Sequence, residues 1–405
     1  MNPENRPDQE PTREEKIAAF RNRKQKDRVR RIPKIIFRSI GILLAVCLLL
    51  TVWVNRKFLF SGEFSETVQL LLAEMSGGDG FPYSIKGDSV MPSNFFVSGK
   101  ELVLASDRSL NMVTAKGHTV IETQHSYSTP VLRASGSRCL LYHLGGLDYQ
   151  VESVSGTVQK TTAEQKIIAG DLAVNGRYIL VTQADNYASA LYAYLPDGTL
   201  QYQYLFSNCY VTSVALRPDG AGGIACGMFS KNGALYSAIY VFDFNTEEPL
   251  AVLEQADVCY LDVSYGEHGT AVCVGDTMLS VVDTANYQKN DYAYGQETLQ
   301  AWSVYDGTAA LALSAYSGAS ESHVRIIGAD AAEVVSMPVS GEVRDISLYG
   351  DTVCVLHDGV LDAYLVGNGA AAASRDVGKD ARAVAMRDTR SAYLLGVTEV
   401  RYVSF

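Results

Sequence analysis

Apolar positions along this chain fall into three textures. Residues 35–54 read IIFRSIGILLAVCLLLTVWV, with Arg38 the only charge. At a rise of about 1.5 Å per residue such a run matches a hydrocarbon core of about 30 Å, so it predicts one membrane-spanning helix. Arg38 lies one turn inside one end, from which its side chain reaches the headgroups, and Trp53 lies at the other end, where interfacial aromatics are favoured. A second texture follows. Ser65-Glu66-Thr67 ahead of Val68, Leu70, Leu71, Leu72 and Met75 predicts a capped, partly amphipathic helix of about three turns. Gly77-Gly78-Asp79-Gly80 then predicts a flexible joint.

The third texture begins near residue 81. Helical spacing disappears, and short runs of β-branched and aromatic residues are separated by Gly, Asn and Asp. One unit recurs: a strand, a turn ending in Gly, and an apolar strand. It is read at Ser98-Gly99, Ser135-Gly136, Asn175-Gly176, Asp219-Gly220, His268-Gly269, Asp306-Gly307 and Gly350-Asp351, with a degenerate eighth copy at Asp388-Thr389-Arg390. The turn glycines are separated by 37, 40, 44, 49, 38 and 43 residues. A period near 40 with only strand-like content predicts four-stranded propeller blades. A further hairpin turns at Pro196-Asp197-Gly198, and the register read from it sets Tyr192 opposite Tyr202.

The apolar strands after the turns are nearly continuous rather than alternating, as expected of a sheet covered on both faces. A lone blade buries neither face; a closed ring buries both. The last unit, 381–405, has room for three strands, and Phe81-Pro82-Tyr83-Ser84-Ile85 has no partner of its own. Pairing it there as the missing outer strand joins the two ends of the ring. The expected fold is therefore all-β, an eight-bladed β-propeller on an N-terminal single transmembrane helix. Seven blades are the alternative, because the 49-residue spacing blurs one boundary. The expected domains are a basic cytoplasmic tail (1–34), a transmembrane signal anchor (35–54), a stalk helix with a Gly-rich linker (55–80) and the propeller (81–405).

Charge adds an orientation. The net −11 divides into +5 over residues 1–34, +3 from Arg38, Arg56 and Lys57, and −19 over residues 58–405. The basic run Arg21, Arg23, Lys24, Lys26, Arg28, Arg30, Arg31 and Lys34 precedes the apolar span, which puts the N-terminus in the cytoplasm and the body outside the cell membrane. A cleaved signal peptide is disfavoured by the bulky Thr51-Val52-Trp53-Val54, and a lipoprotein signal by Val46 before Cys47. The tail reads as a topology signal drawn to anionic lipid, at about 1 kcal/mol per nearby Lys or Arg. A docking helix over 12–31 is the alternative, but Ile17, Ala18, Ala19, Phe20 and Val29 are a thin apolar face. The acidic body excludes nucleic acid as a partner, since that binding rests on phosphate neutralisation.

A short basic tail, one anchor helix and a single extracytoplasmic propeller resemble an uncharacterised family of Gram-positive bacterial single-pass membrane proteins, a domain of unknown function. The turn Arg217-Pro218-Asp219-Gly220 is similar, more remotely, to turns of WD-type and quinoprotein-like propellers. The resemblance covers nearly the whole chain and implies no functional residue.

Candidate chemistry is sparse. There is no GxSxG, HExxH, CxxC or P-loop. Gly220-Ala221-Gly222-Gly223 lies between two strands, so no helix N-terminus is at hand for phosphate, and it reads as a hairpin turn. Quinoprotein propellers use recurring tryptophans; the body has one, Trp302, which reads as a core residue. Sialidase-type Asp-box turns are absent. Cys139, Cys226, Cys273 and Cys354 occupy the same apolar strand of different units and read as small buried hydrophobes. Cys209 and Cys259 stand at matching blade starts, where a bridge between neighbours requires Cα atoms within about 7 Å; neither has the close pairing of a zinc ligand. His118, His125, His143, His268, His323 and His357 are scattered, with His268 and His357 at turns where exposure is expected. The 24 tyrosines fit β-propensity, and the six between 187 and 210 are the stretch expected to leave an exposed cluster.

The expectation is a noncatalytic scaffold at the cell envelope that binds a protein or glycan. No catalytic residue, metal ligand or cofactor is assigned, and the binding residues and the oligomeric state stay open. A transmembrane sensor signalling through the basic tail is the alternative, and a cryptic hydrolase or cofactor enzyme the second alternative.

Overall fold

The computed structural model describes residues 13–14, 17–18, 34–54, 62–266 and 268–405. The basic tail therefore lies almost wholly outside the described residues, as does the proposed docking helix beyond 13–14 and 17–18. The chain divides into two units, Met1–Ser65 and Glu66–Phe405.

In the first unit, helix α1 spans Lys34–Val54. Within it Thr51 Oγ1 donates to the Cys47 carbonyl at 2.8 Å, which satisfies the hydroxyl without breaking the helix. Its side chains are described for 39–47, 50 and 51. Among the described residues no helix is long and apolar enough to cross a membrane.

The second unit is a ring of eight four-stranded antiparallel sheets. Blades 1 to 7 take residues 90–124, 130–162, 167–206, 210–256, 260–293, 298–340 and 343–376. Blade 8 takes Ala383–Asp388, Ser391–Leu395 and Glu399–Ser404, with Tyr83–Ser84 as its fourth strand. Eight blades, not seven, follow from this count, and the ends close as expected. Tyr83 pairs with Val400 and Ser84 with Glu399, and the Ile85 N–H donates to the Thr398 carbonyl at 2.9 Å.

Every repeat glycine joins the first and second strands of its blade, with φ between 58° and 79°, a region costly for a residue with a Cβ. The eighth copy lacks the glycine. There Asp388 Oδ1 accepts the Arg390 N–H at 2.9 Å, an Asx turn with the same role. The second strands are buried over most of their length, and Glu101–Ser106 and Thr352–His357 over all of it. The apolar core is eight clusters, one at each blade boundary. At the closure, Val90, Phe95 and Leu104 of blade 1 meet Ala385, Tyr393 and Val400 of blade 8. Tyr393 is fully buried, with the Phe81 ring 5.0 Å and the Tyr402 ring 5.7 Å away.

Helix α2 runs Gly62–Met75 and so starts earlier than its Ser65 cap signal predicts. From Glu66 on it belongs to the propeller unit and lies on the glycine-turn side of blades 1 and 2. Glu66 is 4% exposed. Its Oε2 accepts from Ser137 Oγ (2.7 Å) and Arg138 Nε (3.0 Å), and its Oε1 from Arg138 Nη2 (3.0 Å). Leu70 packs with Phe96, Ala134 and Val154 over the seam between the two blades. Glu74 approaches Glu101, whose carboxyl is raised by burial first and by that neighbour second.

The expected flexible joint is a correction. Gly80 N–H donates to the Lys116 carbonyl at 3.0 Å, and a Cβ on Gly78 would sit 2.4 Å from the His118 nitrogen. Glycine serves here for close approach to blade 1 rather than for freedom.

Two stability outcomes follow. Tyr393→Ala removes the ring that the closing segment packs on and is expected to cost about 3–5 kcal/mol in denaturant unfolding, whereas Tyr316→Ala, at a 63% exposed position, stays within about 0.5 kcal/mol. Arg138→Ala leaves the buried Glu66 carboxylate unpaired, so hydrogen exchange over 66–75 should rise at least tenfold (about 1.4 kcal/mol) while the second strands stay protected.

Candidate functional site: the central channel and the blade faces

The first strands of successive blades lie against one another, so they line a central channel. Their sequences carry isolated polar residues among apolar ones, and the structure gives these a common task. Each reaches forward to the next blade. Asn94 Oδ1 accepts the Leu132 N–H at 3.0 Å, and Asp171 Oδ2 the Leu216 N–H at 2.7 Å. Thr212 donates to the Tyr260 carbonyl at 2.7 Å. Asp262 Oδ2 accepts the Trp302 indole N–H at 3.1 Å. Gln300 and Ser303 take the N–H groups of Val343 and Leu348 at 3.1 and 3.0 Å; Asp345 and Ser347 take those of Val384 and Met386 at 2.7 and 2.9 Å. First-strand N–H groups of one blade are thus satisfied by side chains of the blade before it.

Burial in the protein-walled channel raises the Asp171 carboxyl to about 6 and that of Asp345 to about 7; the N–H donors oppose the shift in both. Arg133 stands near enough to feel both Asp171 and Asp262. These carboxylates hold blades together. Among the described residues no group of three His, Cys, Asp or Glu side chains forms a metal site.

Several expectations change here. Trp302 packs against the core cluster of the blade 5–6 boundary as expected of a core residue, but is only half-buried, in the channel-lining strand Thr298–Tyr305, and is tied to Asp262. His357 is not an exposed turn residue; it ends the strand Thr352–His357, is buried, and its Nε2 lies 2.8 Å from Asp362 Oδ2. His268 is exposed, as expected. His125 and His143, 18 residues apart, both lie against the Tyr127 ring, at 5.1 and 5.8 Å, the second stacked within 3°. Ser128 Oγ is 2.9 Å from His143 Nε2. A Cβ on Gly146 would sit 2.1 Å from His143 Nδ1, so the side of the imidazole where a triad places its orienting carboxylate is packed against the chain.

The cysteines at 139, 226, 273 and 354 are wholly buried, as their apolar strands predict. Cys209 and Cys259 are free rather than bridged. The contact falls elsewhere: Cys226 and Cys273 bring their Sγ atoms to 3.6 Å across the boundary of blades 4 and 5, with the Cys226 thiol pushed up by burial.

The Tyr192–Tyr202 pair is also a correction. Tyr194 faces Leu200, the register shifts at a bulge, and Ala193 then faces Tyr202 while Tyr192 faces Gln203. The bulge turns Tyr202 inward, where it is 8% exposed against Phe242 and Phe244. The 187–210 tyrosines consequently form no exposed cluster; Tyr202 and Tyr204 join an aromatic core with Phe206, Tyr240 and Phe242, Tyr194 stacks on Tyr178 at 4.8 Å, and only Tyr187 and Tyr210 are exposed.

Two concavities stand out among the described residues. One, of about 490 Å³, lies between blades 6 and 7 and is lined by Thr298, Gln300, Ser317, Glu342, Arg344 and Asp358 among others. Its walls are stiff: Gln300 bonds Ser314, Ser322 and the Val343 N–H, and Arg344 bonds the Lys379 and Ala381 carbonyls. The lining suits a small polar group. The other, of about 720 Å³, lies at the outer edge of blade 8. The channel acceptors had gone unassigned in the sequence, although a signal exists: Asp171 and Asp345 each stand five residues ahead of a repeat glycine, Gly176 and Gly350.

The raised carboxyls set a pH dependence. Both bind their proton more tightly folded than unfolded, so their contribution to stability is full below the ordinary carboxylate value and is lost as pH rises through about 6 to 7. Asp345→Asn keeps an acceptor for Val384. The variant should be at least as stable as the wild type at pH 8 and show a smaller gain in denaturation midpoint on acidification to about pH 5.5.

The fold is shared by solved structures. BamB from Moraxella catarrhalis superposes with a TM-score of 0.53 at 10% identity, over 80% of this chain and 100% of that one. The C-terminal WD40 domain of Sif2 superposes with a TM-score of 0.56 at 12% identity, over 80% and 99%. At such identities the likeness concerns the propeller fold. No curated protein is significantly similar in sequence. Residues 84–401, nearly the whole ring, match a family of unknown function (DUF5711), and the chain belongs to that family.

Proposed function

We propose that this protein is a membrane-tethered, extracytoplasmic scaffold that binds a protein or glycan at the cell envelope without transforming it. Residues 35–54 serve as a single-pass anchor with the basic tail in the cytoplasm, a reading supported by the apolar run and the charge asymmetry around it. One observation carries the binding role. The polar groups of the channel are spent on joining each blade to the next, which makes the ring a stiff platform with concavities open at the blade 6–7 boundary and at the outer edge of blade 8.

A second reading, a transmembrane sensor, is favoured by the clamp at Glu66. Because the buried Glu66–Arg138 pair fixes residues 66–75 on blades 1 and 2, strain at that segment is transmitted to the blades instead of being absorbed by a loose joint.

Fractionation tests the tether. The full-length chain should stay in the membrane pellet after an alkaline wash, and protease added to intact cells should digest the body. A chain released in soluble form by lysis, or a body protected in intact cells, would overturn the reading.

A further inference from the structure

Seven blades carry an outer strand of six to eight residues, and the eighth has one of two. Tyr83 and Ser84 face Val400 and Glu399, and there the ladder stops. Pro82 and Phe81, which precede them, line the space beyond but form no further pair with the strand. The bond from Ile85 N–H to the Thr398 carbonyl shows which edge is concerned. By the two-residue alternation of an antiparallel strand, the backbone groups of Val400, Tyr402 and Ser404 point to the same outer edge. Val400 has Tyr83 opposite it; among the described residues Tyr402 and Ser404 have no strand opposite them. On its inner edge the strand Glu399–Ser404 is paired with Ser391–Leu395 throughout.

The space left by the short strand is the groove of about 720 Å³. It is walled by the end of blade 7's outer strand and by Ala115 of blade 1, and Phe81, Leu394, Tyr402 and Val403 give it an apolar floor. Two cations line it. Arg401 is held by Asp380 at 3.0 Å; Arg375 is exposed and makes no ion pair among the described residues. Of the carboxylates there, Asp376 accepts the Gly378 N–H, and Glu399 sits at the closed end opposite Ser84.

Outward N–H and C=O groups at strand pitch above an apolar floor are matched by one kind of ligand, another extended backbone. We infer that this edge is a β-augmentation site, at which an extended peptide segment of a partner protein completes the outer strand of blade 8, with apolar side chains over Phe81 and Tyr402 and an acidic side chain toward Arg375. The inference rests on the scaffold reading and gives it a place and a partner chemistry.

Hydrogen exchange on the full-length chain tests it, with synthetic hexapeptides that alternate valine and threonine around one glutamate as probes. The Tyr402 and Ser404 amides should exchange fast in the free chain and slow at least about tenfold with the glutamate peptides. Lysine in place of glutamate should weaken the effect, and N-methylated backbones should abolish it. Arg375→Glu should reverse the glutamate–lysine preference. Tyr402→Pro removes an outward N–H that serves no ladder and should abolish the slowing at Ser404; because it also removes a ring that packs on Tyr393, protection of the inner-edge Arg401 and Val403 amides is read alongside and should persist. The proposal is overturned if these amides are already protected in the free chain, whether by its own residues or, at high concentration only, by a second copy. It is equally overturned if no glutamate peptide slows them. Cross-linking in cells separates the two readings: a Tyr402→Pro chain that captures the same partners as the wild type removes this site alone, whereas a wild-type chain that captures none removes the scaffold.

Discussion

The structure depends on one constraint: a four-stranded sheet with two apolar faces has to be covered on both. Each second strand is buried on both sides, and the covering surface is always a neighbouring blade. The hydrophobic core is consequently divided among eight boundaries instead of gathered at one centre. Such an arrangement is complete only when the last boundary forms. That boundary is closed by a two-residue strand and a cluster of rings around Tyr393, so the whole ring leans on a short stretch of chain.

The channel shows the polar side of the same constraint. First strands lie closest to the axis and have no strand beyond them on that side, so part of their N–H groups would be left without partners. Single side chains from the preceding blade fill the need. Carboxylates used this way are raised by burial and restrained by the donors they accept. A cluster of acids in a channel resembles a reactive centre until its hydrogen bonds are followed; those of Asp171 and Asp345 run to backbone and that of Asp262 to an indole, all in one direction around the ring.

Legibility in the sequence followed the range of the interaction. The repeat glycines were readable because a positive φ is a local demand that few other residues meet. The apolar second strands were readable because burial on both faces leaves a mark on every residue. The partner of Tyr192 was not, since a single bulge shifts a register by one residue and leaves no mark in composition. Gly78 misled for a related reason: glycine permits both freedom and close contact, and only the nearby His118 backbone decides between them. Nor could spacing bring His143 onto the Tyr127 ring beside His125, or set Cys226 against Cys273 instead of Cys209 against Cys259.

The sequence by itself determined the all-strand repeat and its turns, because each follows from propensities and burial patterns acting within about forty residues; it pointed to eight units and to the segment that closes them, and the folded ring decided both. Tertiary structure alone decided which polar residues join neighbouring blades, that Glu66 is locked onto Arg138, and that blade 8 keeps a partly uncovered edge. These are contacts between residues many tens of positions apart, or lengths of pairing set by where two chain ends happen to meet. Side-chain chemistry states what such groups are able to bond; only the folded ring fixes which of them come within reach.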